Sequence, residues 1–200
     1  MQQVNSTPIP LGALTTSVKR GLSSSYLKDG EIPVRLLKAK DIDEDGRIAV
    51  DDVDEHTVKK TPALDKARVK AGDLVISLKG KTFKTAQIPP EAEDFVISSN
   101  LIALTFNEKV RPEIVAFYLK STAGEYELQK RAAGSAVMSL NTNQLMDVKI
   151  PLPPIEKQRE ISRYLGEIEE LKSILTKEKK LVDTISDHLL NYFVEADVNE

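Results

Sequence analysis

The chain has no cysteine, no tryptophan and two histidines among its 200 residues. The absence of cysteine excludes a disulfide scaffold and thiolate metal sites. Because His56 and His188 are the only histidines, a histidine-based metal site is not expected either. We therefore expect a protein without a bound metal that resides in a reducing cytoplasm.

Long hydrophobic runs are also missing. No stretch approaches the roughly 20 consecutive apolar residues of a membrane span. The first residues, MQQVNSTPIPLG, have neither the basic start nor the apolar core of a targeting signal. These absences predict a soluble, untargeted protein with no membrane partner.

Signals of catalysis are sparse, and no glycine-rich cofactor fingerprint is present. The segment KGKT at 79–82 resembles the end of a phosphate-binding P-loop, but Val75 stands where the first glycine of that loop is required. Asp147 and Lys149 resemble the end of a nuclease motif, but no upstream acid pairs with them. We expect no catalytic residue and no cofactor.

An acidic segment at 41–55, DIDEDGRIAVDDVDE, resembles a calcium-binding loop. Gly46 occupies the sixth position counted from Asp41, as such a loop requires, but the twelfth position is Asp52 rather than glutamate. We predict instead an acidic hairpin whose turn is Asp45-Gly46.

The net charge of -3 hides a segregated distribution. Residues 41–55 carry a net charge of -7 and residues 151–200 a net charge of -4, whereas the rest of the chain carries +8. A body with one acidic loop and a surplus of positive charge elsewhere is compatible with a phosphate-binding face. An ordinary mixed surface explains the same distribution equally well.

Short apolar runs bounded by turn formers recur through the first 152 residues, which favours strands with a few helices. The predicted fold class is α+β, a mostly-β globular domain followed by a long C-terminal coiled-coil helix. The predicted strands are Pro33–Leu37, Asp73–Leu78, Thr85–Ile88, Phe95–Ser98, Ile102–Phe106 and Val148–Pro151. The predicted short helices are Arg111–Gly124, Glu125–Arg131 and Asn141–Met146, the last with Thr142 as a possible cap.

The segment MDVKIPLPPIEKQREI at 146–161 marks a change of folding pattern. An alternating strand-like run ends at Pro153 and Pro154, which lack backbone donors and suit the entry to a helix. A charged helical pattern follows at once. We predict two domains, residues 1–152 and 153–200.

From Ile161 onward, the apolar residues follow a seven-residue repeat. Nine of ten a and d positions can lie in an apolar seam, and only Glu178 interrupts it. Such a stripe requires a partner helix, and a second copy of the chain would supply one. The residues predicted to form this dimer interface are Ile161, Tyr164, Ile168, Leu171, Leu175, Val182, Ile185 and Leu189.

The order of these motifs is recognisable. The body resembles a target-recognition domain of the specificity subunit of type I restriction-modification systems, and the terminal helix resembles the spacer helix that follows each such domain. The most specific matching piece is KIPLPPIEKQREI at 149–161. The supporting pieces, in the same order, are LGALTTSVKRG at 11–21, PVRLLKAKDI at 33–42, VKAGDLVISLKGKT at 69–82, SSNLIALTF at 98–106, the helix at 111–124 and AAGSAVMSLNTNQL at 132–145.

The resemblance implies a non-catalytic subunit that binds double-stranded DNA and recruits methyltransferase (modification) subunits and a restriction subunit. Members of the family usually carry two recognition domains and two spacer helices, whereas this chain has one of each. The resemblance and the unpaired seam together predict a homodimer, and two-fold symmetry predicts that it reads an interrupted palindrome.

The side chains expected to contact DNA fall into two groups. Cations and a hydroxyl for phosphate positioning are Lys19, Arg20, Lys38, Lys40, Lys79, Lys81, Thr82 and Lys84. Side chains for base reading, in the loop 134–143, are Ser135, Ser139, Asn141 and Asn143. Asn141 is equally well explained as a turn residue, and Asn143 as a surface helix residue.

A different class of function is an assembly module, a coiled-coil adaptor without DNA-reading activity. The acidic pI and the 41–55 cluster favour it, because an acidic loop repels or mimics DNA. Apolar residues beside the seam, Leu165, Ile174, Leu181 and Leu190, could pack on a methyltransferase subunit or widen the homodimer core.

Overall fold

The computed structural model describes residues 7–27, 30–132 and 137–197 and divides the chain into two compact units, residues 1–158 and 159–200. The strands are β1 Thr7–Pro10, β2 Thr15–Arg20, β3 Ile32–Leu37, β4 Glu55–Val58, β5 Leu74–Ser77, β6 Lys79–Gly80, β7 Thr85–Gln87, β8 Val96–Ile97, β9 Leu101–Phe106, β10 Met138–Ser139 and β11 Lys149–Leu152. The helices are α1 Leu11–Leu14, α2 Pro62–Lys66, α3 Pro112–Leu119, α4 Thr122–Arg131, α5 Thr142–Met146 and α6 Ile155–Asp197. The predicted α+β class with a long C-terminal helix is confirmed.

The centre of the first unit is a four-stranded antiparallel sheet in the order β2-β9-β5-β7. Both faces of this sheet are covered. Leu74 and Ile76 of β5 belong to the apolar cluster that includes the helical residues Val115 and Leu119, whereas Val75 belongs to a separate cluster on the opposite face. Burial on both faces explains why β5 is a continuous apolar run rather than an alternating one.

A second sheet has the order β4-β3-β8, with β3 antiparallel to β4 and parallel to β8. Its apolar residues pack in a third cluster with α2, which contributes Leu64. Two small ladders complete the unit, β1 with β11 and β6 with β10. The β6–β10 ladder joins the KGKT segment to the loop that precedes α5.

Each of the six predicted strands overlaps an observed strand, and no end differs by more than one residue. The acidic hairpin is also confirmed, but its turn has Glu44 and Asp45 at its centre, one residue before the predicted Asp45-Gly46. Ile42 and Ile48 form an antiparallel bridge, Gly46 N donates to Asp43 O over 3.1 Å, and Gly46 has a φ of +81° that favours glycine.

The predicted helix Arg111–Gly124 is wrong at its end. α3 stops at Leu119 and α4 begins at Thr122, because the Ser121 hydroxyl caps α4 by accepting a hydrogen bond from Gly124 N. Gly124 is not a terminator. A Cβ at this position would lie 2.0 Å from Tyr118 O, so glycine allows the two helices to meet closely.

The suggested cap Thr142 is likewise wrong. Asn141 caps α5 in a reciprocal arrangement with Gln144, in which each side chain accepts from the backbone N–H of the other residue over 2.9 Å.

The second unit consists of the greater part of α6, a helix of 43 residues that is about 65 Å long at 1.5 Å per residue. Seven seam side chains, Tyr164, Ile168, Leu171, Leu175, Val182, Ile185 and Leu189, are 48–60% exposed in the single chain. Among the described residues, no helix combines the length and the apolarity needed to cross a membrane.

Candidate nucleic-acid interface

The turn at Ser98–Asn100, which connects β8 to β9, is where the predicted DNA-binding segments meet; we call it the SSN turn. Leu22 N donates to Ile97 O over 2.7 Å, and Ser99 N donates back to Leu22 O over 2.9 Å. These bonds fix the end of β2, and therefore Arg20, against the SSN turn.

Gly21 makes this approach possible. A Cβ at Gly21 would lie 1.9 Å from Ser98 O, closer than any side chain tolerates. The glycine of the LGALTTSVKRG motif is thus required by contact between two backbones.

Two further segments attach to the same turn. Leu78 N donates to Asn100 O over 2.8 Å, and Leu140 N donates to Leu78 O over 2.9 Å. β6 and β10 then pair so that Ser139 faces Lys79. The KGKT segment and the loop 137–141 therefore lie side by side next to the SSN turn.

The chain after β3 reaches the same place, since Ser98 N donates to Leu37 O over 2.9 Å. Lys38 follows directly. The segments ending at Arg20, Lys38 and Lys79 are thus anchored on residues 97–101 by main-chain hydrogen bonds, and the segment at Ser139 is attached to them through Leu78.

The predicted cations differ in whether their charge is already paired. Arg20, Lys79 and Lys81 are exposed, and the described part of the chain offers them no carboxylate within ion-pair distance. Thr82 is exposed beside Lys81. These four side chains remain available to a ligand.

Lys38 and Lys40 share one carboxylate. Their ammonium groups lie 3.0 and 3.1 Å from Asp54 Oδ2, and these hydrogen bonds and charges lower the pKa of Asp54 to about 2. Asp54 in turn raises the pKa of Lys40. Lys38 Nζ also lies 2.9 Å from His56 Nε2.

Lys19 and Lys84 are engaged within the fold. Lys19 Nζ lies 2.6 Å from Oδ2 of Asp73, a buried carboxylate that also accepts from Lys70 N and Thr105 Oγ1. Lys84 Nζ donates to Ile42 O over 2.6 Å and so holds the acidic hairpin.

Of the predicted base readers, Ser139 and Asn143 are exposed, and Ser135 lies outside the described residues. Asn141 uses its Oδ1 as the cap of α5, which matches the turn-residue interpretation. Its Nδ2 donors are not needed for the cap.

Two polar residues at the centre of this region were missed by the sequence reasoning. Ser99 and Asn100 are exposed at the tip of the SSN turn, and no hydrogen bond occupies their side chains among the described residues. The sequence feature that could have identified them is the polar triplet Ser98–Asn100 between two apolar runs. The same feature is typical of any ordinary turn.

Gln158 was missed as well. It is 1% exposed, its Oε1 accepts from Arg111 N over 3.0 Å, and its Nε2 donates to Lys109 O and Pro153 O over 3.0 and 2.9 Å. It thereby ties the first turn of α6 to the loop before α3. Within the described residues, no three histidine, aspartate or glutamate side chains are arranged to hold a metal ion.

Comparison with known families gives a match over most of the chain. The profile of the family described as Type I restriction modification DNA specificity domain matches residues 24–182. Among individual proteins, the putative type I restriction enzyme MjaX specificity subunit of Methanocaldococcus jannaschii is 28% identical over 178 residues, 88% of this chain and 38% of that protein. The type I restriction enzyme MjaVIII specificity subunit of the same organism is 26% identical over 135 residues, 65% of this chain and 32% of that protein.

Solved structures share the fold. A chain from a structural study of complex assembly in the type I R-M system has a TM-score of 0.65 at 19% identity and covers 84% of this chain. The HsdS subunit from Thermoanaerobacter tengcongensis has a TM-score of 0.59 at 21% identity and covers 88%. These matches take in 43% and 40% of the respective chains, and this chain spans roughly a third of the length of the curated relatives it matches.

Proposed function

Because the chain belongs to the family of type I restriction modification DNA specificity domains, we propose that its body reads the sequence of double-stranded DNA for such a system and catalyses no reaction itself. The observation that carries this proposal is the convergence of exposed Arg20, Lys79 and Ser139 on the SSN turn. Cations and uncharged polar groups in one place are what combined phosphate positioning and base reading require.

The proposed roles follow from which side chains are available. Arg20, Lys79, Lys81 and Thr82 position phosphates, while Ser139, Asn143 and the Nδ2 of Asn141 face bases. We add Asn100, whose amide can pair in both directions with adenine. Lys19, Lys38, Lys40 and Lys84 are held by carboxylates or carbonyls and act as supports that keep the contacting segments in place.

The test is salt-dependent binding of duplex DNA by the whole chain. We expect the wild-type protein to bind a mixed-sequence duplex at low salt and to release it steeply as salt rises. The double variant Lys79→Gln, Lys81→Gln should bind with a shallower salt dependence. The slope of the logarithm of the association constant against the logarithm of salt concentration should fall in magnitude by about 1.8, which is about 0.9 for each lost phosphate contact. The same two changes at exposed Lys109 and Lys130 serve as the control. Failure of the wild-type protein to bind duplex at any salt would overturn the proposal.

We further propose that residues 1–152 are the reader, that residues 153–200 are a spacer, and that two copies pair through the seam to read an interrupted palindrome. The exposure of the seam supports this, since its side chains are about half exposed in the single chain. A pair of chains would supply two readers and two helices.

The proposed partners are methyltransferase (modification) subunits and a restriction subunit. The apolar residues outside the seam, Ile174, Leu181 and Leu190, are 46–62% exposed and provide a surface that a second helix partner can cover. Affinity purification from the native host with mass spectrometry tests this; recovery of the chain alone would argue against membership of a working complex.

One specific observation favours the alternative of an adaptor without DNA reading. Asp54 neutralises two predicted contacts, and the acidic hairpin beside Lys84 adds further negative charge. An adaptor would ignore duplex DNA at every salt concentration, so the binding test separates the two functions.

A further inference from the structure

A groove of about 670 Å³ opens beside the last residues of β2. Its walls are the segment Ser17–Ser23, the ring of Tyr26, residues of α2 that include Lys66, and Thr142 at the start of α5. Thr142 follows the base-reading candidate Asn141, so the groove borders the same region as the SSN turn.

The groove is bordered by cations, of which the sequence reasoning selected Lys19 and Arg20 but not the lysines of α2 and of the segment before it. Arg20 and Lys66 line it, and Lys59 and Lys60 belong to the adjoining segment between β4 and α2, where Lys59 N donates to Tyr26 O over 3.3 Å. All four are exposed, and none has a carboxylate partner among the described residues. Asp65 is the one acidic residue that lines the groove, so the lining carries more basic than acidic side chains.

Hydroxyl groups complete the lining, from Ser17, Ser23, Tyr26 and Thr142. Ser23 Oγ accepts from Ser25 Oγ over 3.1 Å and therefore keeps its own proton for another acceptor. The ring of Tyr26 packs against the apolar cluster that includes Leu22 and Val58, which fixes it at the groove wall.

α2 holds its part of this surface rigidly. The Thr61 hydroxyl caps the helix by accepting from Leu64 N, and Leu64 is 2% exposed in the core. The same turn that buries Leu64 leaves Lys66 at the groove. Arg20 and Lys66 are thus the last residues of packed elements, and Lys59 and Lys60 lie in the short connection from β4 to α2, which the hydrogen bond from Lys59 N to Tyr26 O anchors.

We propose that this basic groove binds the sugar–phosphate backbone of duplex DNA, with Arg20, Lys59, Lys60 and Lys66 contacting successive phosphates. The proposal rests on the proposed DNA-reading function and adds a site to it. Exposed cations spread along an open groove suit a chain of phosphates, whereas a single small anion is normally enclosed by buried donors. The neighbouring SSN turn then reads bases while the groove supplies affinity that is independent of sequence.

The test is a triple variant, Lys59→Gln, Lys60→Gln and Lys66→Gln, in the full chain. Binding of a mixed-sequence duplex is followed by fluorescence anisotropy over a range of salt concentrations. The slope of log K against log salt should fall by about 2.7 for each bound protomer, at about 0.9 per phosphate contact. Asp65→Asn should act in the opposite direction and tighten binding, because it removes the one unpaired carboxylate of the lining.

The matched control removes three exposed lysines elsewhere on the body, Lys70, Lys109 and Lys130, also by glutamine. Thermal melts of all variants report whether folding is intact. Suppose that the wild-type protein binds DNA and that the groove variant keeps the wild-type salt slope, or that its slope falls no more than that of the control variant. This result would contradict the proposed groove site and would leave the DNA-reading function unaffected. A wild-type protein that binds no duplex would overturn the function itself.

Discussion

Asp54 sets the charge of the surface at the end of β3. The ammonium groups of Lys38 and Lys40 hold the pKa of its carboxyl at about 2, well below its ordinary value of 3.8. Asp54 is therefore ionised throughout the neutral range, and both lysines stay paired. A cation count from the sequence overstates the positive charge available here.

This pairing makes a prediction about acid stability. The lowered pKa means that the ion pairs stabilise the fold above a pH of about 4 and that this contribution is lost as the pH falls towards about 2. The difference in free energy of unfolding between the wild-type protein and Asp54→Asn should be constant at neutral pH and should vanish near pH 2. Denaturant titrations at several pH values measure it. A difference that instead grew as the pH fell would contradict the assigned ion pairs, and Asp51→Asn, at an exposed position, is the control.

Gln158 makes a second prediction at the scale of one residue. Gln158→Leu would leave Arg111 N, Lys109 O and Pro153 O without their buried partner, so we expect a loss of about 2–4 kcal/mol in the free energy of unfolding. The same substitution at exposed Gln129 should change it by less than about 0.5 kcal/mol. Equal effects at both positions would show that Gln158 does not anchor the helix start.

At the scale of elements, the strands that could be predicted are those buried on both faces, because such strands consist almost entirely of apolar residues. β5 and β9 are apolar runs buried on both faces, so hydrophobic pattern alone locates them. β2, TTSVKR, is an edge strand with mostly exposed polar residues, and β1 contains two prolines, so neither gives a strand signal. The break between α3 and α4 depends on a serine cap and on backbone contact at Gly124, which periodicity does not register.

The candidate site likewise contains residues that the sequence predicts and residues that it does not. Exposed Arg20, Lys79 and Lys81 could be selected from residue type alone, whereas the pairing of Lys38 with Asp54 arises from residues sixteen apart in sequence. Asn100 and Gln158 were missed because their roles depend on what the fold brings next to them. Local sequence describes the side chain but not its neighbours.

The seam of α6 carries a prediction about assembly. Leu175→Asp places a charge in the middle of the proposed interface and should convert a dimer into a monomer. Thr176→Asp introduces the same charge at the next residue, outside the seam, and should leave the dimer intact. Sedimentation velocity measures both masses. An unchanged mass for Leu175→Asp would exclude the seam as the interface.

At the scale of the whole molecule, a dimer built on this helix should measure distance along DNA. Deleting one heptad, residues 176–182, preserves the seam and shortens each helix by about 10.5 Å at 1.5 Å per residue. The two half-sites of the preferred DNA should then move closer by about three base pairs, since B-DNA rises about 3.4 Å per pair. Selection from a random duplex library reads out the spacing. If the separation between the half-sites did not change, the length of the helix would not determine that separation.

The main-chain bonds around the SSN turn bear on how such a protein diversifies. Leu22, Leu37 and Leu78 are held there through their amides or carbonyls, and Leu140 is held by Leu78. The nearby residues Arg20, Lys38, Lys79 and Ser139 contribute no side chain to those bonds. Substitution of Arg20, Lys79 or Ser139 therefore leaves the framework intact, whereas substitution of Lys38 also removes its ion pair with Asp54. New binding preferences can accumulate by point mutation at the tips of three of these segments, those that end at Arg20, Lys79 and Ser139, without any change in the register that brings them together.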